Sequence, residues 1–117
     1  MAKYLELPVY KSAYDLLLLV FQLTHNLTRE YKFTIGEKLK NEITDLLTNI
    51  YRASRVGDKR EFIQQARENL EIVRLYIRIL KDCRQINSKK HIFINQPIES
   101  VSKQLSGWHK SIDKADT

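Results

Sequence analysis

The sequence has one cysteine, Cys83, so no disulfide within the chain can staple its fold. A lone thiol fits a reducing compartment. Because Cys83 falls on an apolar stripe, the spacing predicts a buried, inert side chain. Glycine and proline are scarce, at three and two residues, which excludes collagenous, low-complexity and loop-dominated chains. The longest apolar run, Leu16 to Phe21, is far too short to cross a bilayer. The opening Met1-Ala2-Lys3-Tyr4 lacks the apolar stretch of a signal peptide, so the expectation is a cytoplasmic protein.

Catalytic signatures are missing as well. His25, His91 and His109 lie far apart, and none has a second ligand at metal-binding spacing. For His91 the spacing predicts a half-buried, hydrogen-bonded histidine. There is no glycine-rich phosphate loop and no serine or cysteine with the local setting of a nucleophile. The expectation is a protein that is not an enzyme, with no catalytic residue, cofactor or metal.

What the chain does have is positive charge and helical periodicity. Lys and Arg number 20 against 14 acids, for a net charge of +6 and a pI near 9.5. That balance suits a polyanionic partner, chiefly nucleic acid, and suits equally a protein whose surface is simply basic. With 117 residues of evenly mixed polar and apolar character, the expectation is one domain over 1–117.

Four amphipathic segments follow in order. After a loose lead-in over 1–7, Pro8 opens a first helix over about 8–28, with a broad apolar arc from Ala13, Leu17, Val20 and Leu27 and from Tyr14, Leu18 and Phe21. Residues 29–33 link it to the second helix, 35–56. Thr34 with Glu37 reads as a capping box at its start, and Gly57 as the left-handed residue after its end. Asp58 with Glu61 reads as a second capping box before the third helix, 59–86. Ser88 caps a fourth, 88–113, whose repeat runs through Ile94, Ile98, Val101, Leu105 and Trp108. Pro97 lies inside that repeat. Either one bent helix crosses it in phase, or the helix begins at Asn95; the unbroken phase favours the first. The tail beyond Lys114 is expected to fray. Short connections between such helices predict an all-α, up-down-up-down antiparallel four-helix bundle.

The third helix has three faces. Ala66, Leu70, Val73, Ile77 and Leu80 form a core stripe. Ile72, Tyr76, Ile79, Cys83 and Ile86 form a second stripe, which either packs inside the bundle or forms an oligomer seam. Tyr14, Leu18 and Phe21 on the first helix favour the seam, because two doubly apolar helices exceed what one small core hides. The remaining face carries Arg60, Arg67, Arg74, Arg78 and Lys81. From Arg67 to Lys81 it spans about 20 Å, enough to meet successive phosphates. It reads equally as a solvated face paired with Glu68, Glu71 and Asp82. Lys81 and Arg84 before the last turn, with Lys89 and Lys90 after it, make a positive corner that an anion would relieve. Exposed aromatics appear few among these cations, so the expected nucleic-acid contact is to the backbone and tolerant of sequence.

Several blocks together resemble a known family. They are Leu7-Pro-Val-Tyr-Lys11, Tyr14-Asp-Leu-Leu-Leu18, Arg29-Glu-Tyr-Lys-Phe-Thr-Ile-Gly-Glu-Lys38, and Ala66-Arg-Glu through Val73-Arg-Leu-Tyr-Ile-Arg78. Ile98-Glu-Ser-Val-Ser-Lys-Gln-Leu105, with Trp108, completes the set. In this order they resemble the accessory variability determinant proteins of diversity-generating retroelements. A neighbouring group, encoded in intervening sequences of large-subunit ribosomal RNA genes, shares the fold and basic character. The resemblance implies a homopentameric barrel and association with a reverse transcriptase, RNA and DNA during mutagenic retrohoming. It implies no polymerase activity of the chain's own. By position it implicates Arg74 and Arg78 in binding. Pro97 departs from the family's usual helix former.

Overall fold

The computed structural model describes residues 3–115. A short 3-10 turn, Lys3–Glu6, precedes α1 (Pro8–His25), the one-turn α2 (Arg29–Lys32), α3 (Ile35–Arg55), α4 (Arg60–Asp82) and α5 (Ser88–Ala115). Of the lead-in expected to be loose, residues 3–6 form a helical turn, and residues 1 and 2 lie outside the described residues. The link at 29–33 contains a helical turn of its own. Of the tail expected to fray, residues 116 and 117 lie outside the described residues.

The four long helices make an antiparallel bundle about 48 × 26 × 20 Å. α3 packs on α1 and α4, and α5 packs on the same two helices. α1 and α4 therefore stand diagonally across the core. Its centre is filled by Leu16, Leu39, Ile43, Leu46, Ile50 and Leu70, with Ile77, Leu80, Ile94, Ile98 and Leu105, all essentially inaccessible to water. These positions recur every three or four residues, so each helix turns one stripe inward and burial of that stripe drives association.

α5 runs unbroken through Pro97. Ile94, Ile98, Val101 and Leu105 stay buried on both sides of the proline. Packing of that stripe offsets the missing proline N–H, which a solvent-exposed helix would not tolerate.

The helix ends depart from the sequence reading. No glycine among the described residues has positive φ, so Gly57 does not terminate α3 in the left-handed form. Lys59 does that work: its Nζ donates to the carbonyls of Ala53 and Val56, each at 2.9 Å. A cation there satisfies end carbonyls and suits the negative end of the helix dipole. Neither expected capping box forms. Thr34 Oγ1 donates backward to Glu30 O at 2.7 Å, and Lys59, not Asp58, is the N-cap of α4. Asp58 Oδ1 still accepts the Arg60 N–H at 3.3 Å. Asn87 rather than Ser88 caps α5, its Oδ1 accepting the Lys90 N–H at 2.7 Å.

α1 and α4 are also shorter than expected, ending at His25 and Asp82. At Gly36 an added Cβ would lie 3.1 Å from the Tyr31 carbonyl oxygen, so glycine lets the α2 turn sit close against α3. Between α3 and α4, Asn49 donates to Asn69 at 2.7 Å and Asn69 donates to Glu42 at 2.8 Å.

Candidate nucleic-acid and partner interface

The helix order gathers the ends of all four long helices into two clusters. The C-termini of α1 and α4 and the N-termini of α3 and α5 share one end of the bundle. A cross-link fixes this: Gln85 Oε1 accepts from the backbone N–H of Thr28 at 3.1 Å and from its hydroxyl at 2.9 Å. The connection between α1 and α2 is thereby tied to the connection between α4 and α5.

The basic ridge of α4 turns toward α5, and much of its charge is met inside the bundle. Arg74 Nη1 donates to Glu99 of α5, and its Nε lies 3.2 Å from Glu71 Oε1. That hydrogen bond is the first cause holding the Glu99 carboxyl below its usual range, and it raises the Arg74 pKa further. Arg78 folds back on Asp82, its Nε 3.2 and 3.1 Å from the two carboxylate oxygens. Arg60 lies 3.6 Å from Asp113, and Arg67 donates to Gln64 at 3.5 Å. Arg60 and Arg74 thus lace α4 to α5, while Arg67 and Arg78 bond within their own helix.

The positive corner is different. Among the described residues, Lys81, Arg84, Lys89 and Lys90 take part in no ion pair. Lys81 is half-buried and the other three are exposed. Arg84 has φ 61, the one non-glycine with positive φ among the described residues. The bonds Gln85 N to Leu80 O, 2.8 Å, and Arg84 N to Lys81 O, 3.0 Å, form a Schellman closure of α4 around it. An arginine holds a place where glycine is favoured, and its charge projects beside a cleft lined by Lys81, Gln85, Asn87 and Ser88.

The apolar candidates divide. Tyr14, Leu18 and Phe21 on α1 are 47%, 44% and 42% exposed. Ile72, Tyr76 and Ile79 on α4 are half-buried, and Tyr76 packs on the rim of the core. Ile86 is buried within the core. Cys83 is exposed, which corrects the expectation of a buried thiol: α4 ends just before it, so it never joins the helix's packed face. Hydrogen bonding with Cys83 is the first cause that raises the pKa of the Tyr31 phenol. Since α1 and α4 are diagonal, the two apolar sets are separate patches.

Sequence reasoning passed over Phe33, Leu75, Ile92 and Phe93, which are 62%, 54%, 63% and 52% exposed. They fall on no continuous stripe, and only a count of unburied apolar side chains picks them out. Phe33 and Phe93 both lie at the end that carries the positive corner. Arg29 stands over the Phe33 ring, 5.9 Å from its centroid, and Lys90 over the Phe93 ring at 5.6 Å.

No described helix is long and apolar enough to cross a membrane. No curated protein matches the sequence significantly. The stretch from 8 to 112, which runs from the start of α1 almost to the end of α5, matches the bAvd-like family. The chain therefore belongs to the bAvd-like family of accessory variability determinant proteins.

Proposed function

We propose that this chain acts in the cytoplasm as a non-catalytic accessory protein of a diversity-generating retroelement, binding its reverse transcriptase and its template RNA and cDNA during mutagenic retrohoming. The carrying observation, beside family membership, is the corner of Lys81, Arg84, Lys89 and Lys90, whose charges have no carboxylate partner among the described residues. Phosphates supply that partner and release counterions as they do so. Arg67 and Arg78 extend the contact along α4. The exposed Arg78–Asp82 pair is worth only about 0–1 kcal/mol and yields readily to a phosphate. Arg60 and Arg74, held by α5 carboxylates, brace the surface.

The chain assembles as a homopentameric barrel in this reading. Two apolar patches on diagonal helices fit a head-to-tail contact, in which Tyr14, Leu18 and Phe21 of one copy meet Ile72, Tyr76, Ile79 and Cys83 of the next. Unlike surfaces joined in this way give a ring where the rotation closes, rather than a two-fold dimer.

The test pairs RNA binding at physiological salt with light scattering. The wild type is expected to bind and to run as a pentamer. Lys81→Gln with Arg84→Gln is expected to bind more weakly at unchanged helicity. A monomer would contradict the seam. Undiminished binding by the folded variant would contradict the corner. A bundle that serves protein contacts alone, as in the ribosomal-gene group, is favoured by the carboxylates already engaging Arg74 and Arg78. It predicts binding only at low salt.

A further inference from the structure

We infer that the end of the bundle that carries α2, the start of α3 and the start of α5 is a stacking platform for single-stranded nucleic acid, with Phe33 and Phe93 as the base-contacting rings. The inference rests on the nucleic-acid reading above and deepens it.

Three observations carry it. First, both rings are more than half exposed, an unusual state for phenylalanine, which loses its hydration penalty only by burial. Second, each is flanked by a cation over its face, Arg29 on Phe33 and Lys90 on Phe93. In this reading a base stacks on the exposed part of each ring, with a positive charge already beside the position its phosphate would occupy. Third, Phe33 directly follows α2 and Phe93 lies near the start of α5, and the bond from Thr28 to Gln85 ties the connections that precede those two helices, so both rings stand at the same end of the bundle.

The charge at this end is lopsided. Lys32, Lys38, Arg84 and Lys89 have no ion-pair partner among the described residues. Of the nearby acids, Asp82 is engaged by Arg78 and Glu37 by Lys40, while Glu30 has no ion-pair partner. An acidic protein surface would answer the charge but leave flat rings unused. A duplex would answer the charge too, but its bases are already stacked on one another. A single strand uses both features.

The experiment measures binding of fluorescein-labelled poly(U) of about 20 nucleotides, and of an RNA duplex of the same length, to the full-length protein at physiological salt. Phe33→Ala with Phe93→Ala is expected to weaken poly(U) binding by about tenfold or more while leaving duplex binding and oligomer size unchanged. Phe33→Tyr with Phe93→Tyr is expected to restore poly(U) binding, since the π faces remain. Equal binding of poly(U) by the alanine variant and the wild type overturns the platform and leaves the broader nucleic-acid reading standing. Dissociation of the oligomer by the alanine pair overturns it in favour of a seam between copies. Failure of the wild type to bind either probe overturns both readings.

Discussion

Arg74 on α4 donates to Glu99 on α5, so the most central arginine of the basic ridge is bonded within the bundle. Among the described residues its neighbour Arg78 pairs only with Asp82 on its own helix, and both members of that pair are well exposed. Two arginines one turn apart are therefore expected to differ in role. Arg74→Ala is expected to lower Tm by an amount on the order of a few degrees, with a small effect on RNA affinity. Arg78→Ala is expected to leave Tm nearly unchanged and to weaken RNA binding. Thermal melts beside a filter-binding assay check both, and the reverse pattern would contradict the assignment.

The same pair sets a pH dependence. Glu99 has its folded pKa depressed by the Arg74 hydrogen bond. Its contribution to stability is fully present above the ordinary glutamate value of about 4.3 and is lost as pH falls through the lower folded value. Glu99→Gln should be less stable than the wild type near neutral pH, and the difference should shrink steadily below about pH 4. Urea titrations across that range measure it; a gap that stays constant with pH would show that the carboxylate charge is not involved.

Arg84 occupies the left-handed position after α4 at a cost that glycine would not incur. Arg84→Gly is expected to stabilise the fold by about 1 kcal/mol while weakening RNA binding. A gain in one property with a loss in the other is the mark of a residue kept for its charge. Denaturation midpoints and RNA affinity for the same preparation decide it, and a lower midpoint would remove the argument.

Asn49 is one of few buried polar side chains in the described core and donates to Asn69, which donates in turn to Glu42. Asn49→Ala strands the Asn69 carbonyl and is expected to cost about 1–3 kcal/mol. Replacing both asparagines by leucine should recover much of that loss. A double-mutant cycle in urea reports the coupling, and simple additivity would mean that the bond contributes little.

How much of this the sequence discloses depends on the range of each interaction. The bundle follows from local spacing: the Ala66, Leu70, Val73, Ile77 and Leu80 stripe is buried as its period requires, and the Ile94 to Leu105 stripe carries α5 across Pro97. The helix ends were less legible. Lys59 capping Ala53 and Val56 competes with a plausible Gly57 stop, and nothing in the local pattern announces that Arg84 adopts a positive φ. Cross-helix pairs such as Arg74 with Glu99 depend on the relative register of α4 and α5, which helical periodicity leaves open. The candidate site shows the same division. Lys81, Arg84, Lys89 and Lys90 cluster in sequence and could be seen there; Arg29 with Phe33 and Lys90 with Phe93 are also local pairs, but both pairs lie at one end only because the topology returns α5 to the end where α1 finishes.

In the proposed function, phosphates meet the cations at the α4–α5 corner. The most direct measurement is the dependence of single-stranded RNA affinity on salt, for the wild type and for Lys89→Gln with Lys90→Gln. Each lost phosphate contact on a single strand reduces the slope of log K against log salt by about 0.7, so the double variant should flatten it by about 1.4. Helicity and oligomer size should be unchanged. An identical slope in the two proteins, or no binding by the wild type near 0.15 M salt, the order of physiological ionic strength, would contradict the account.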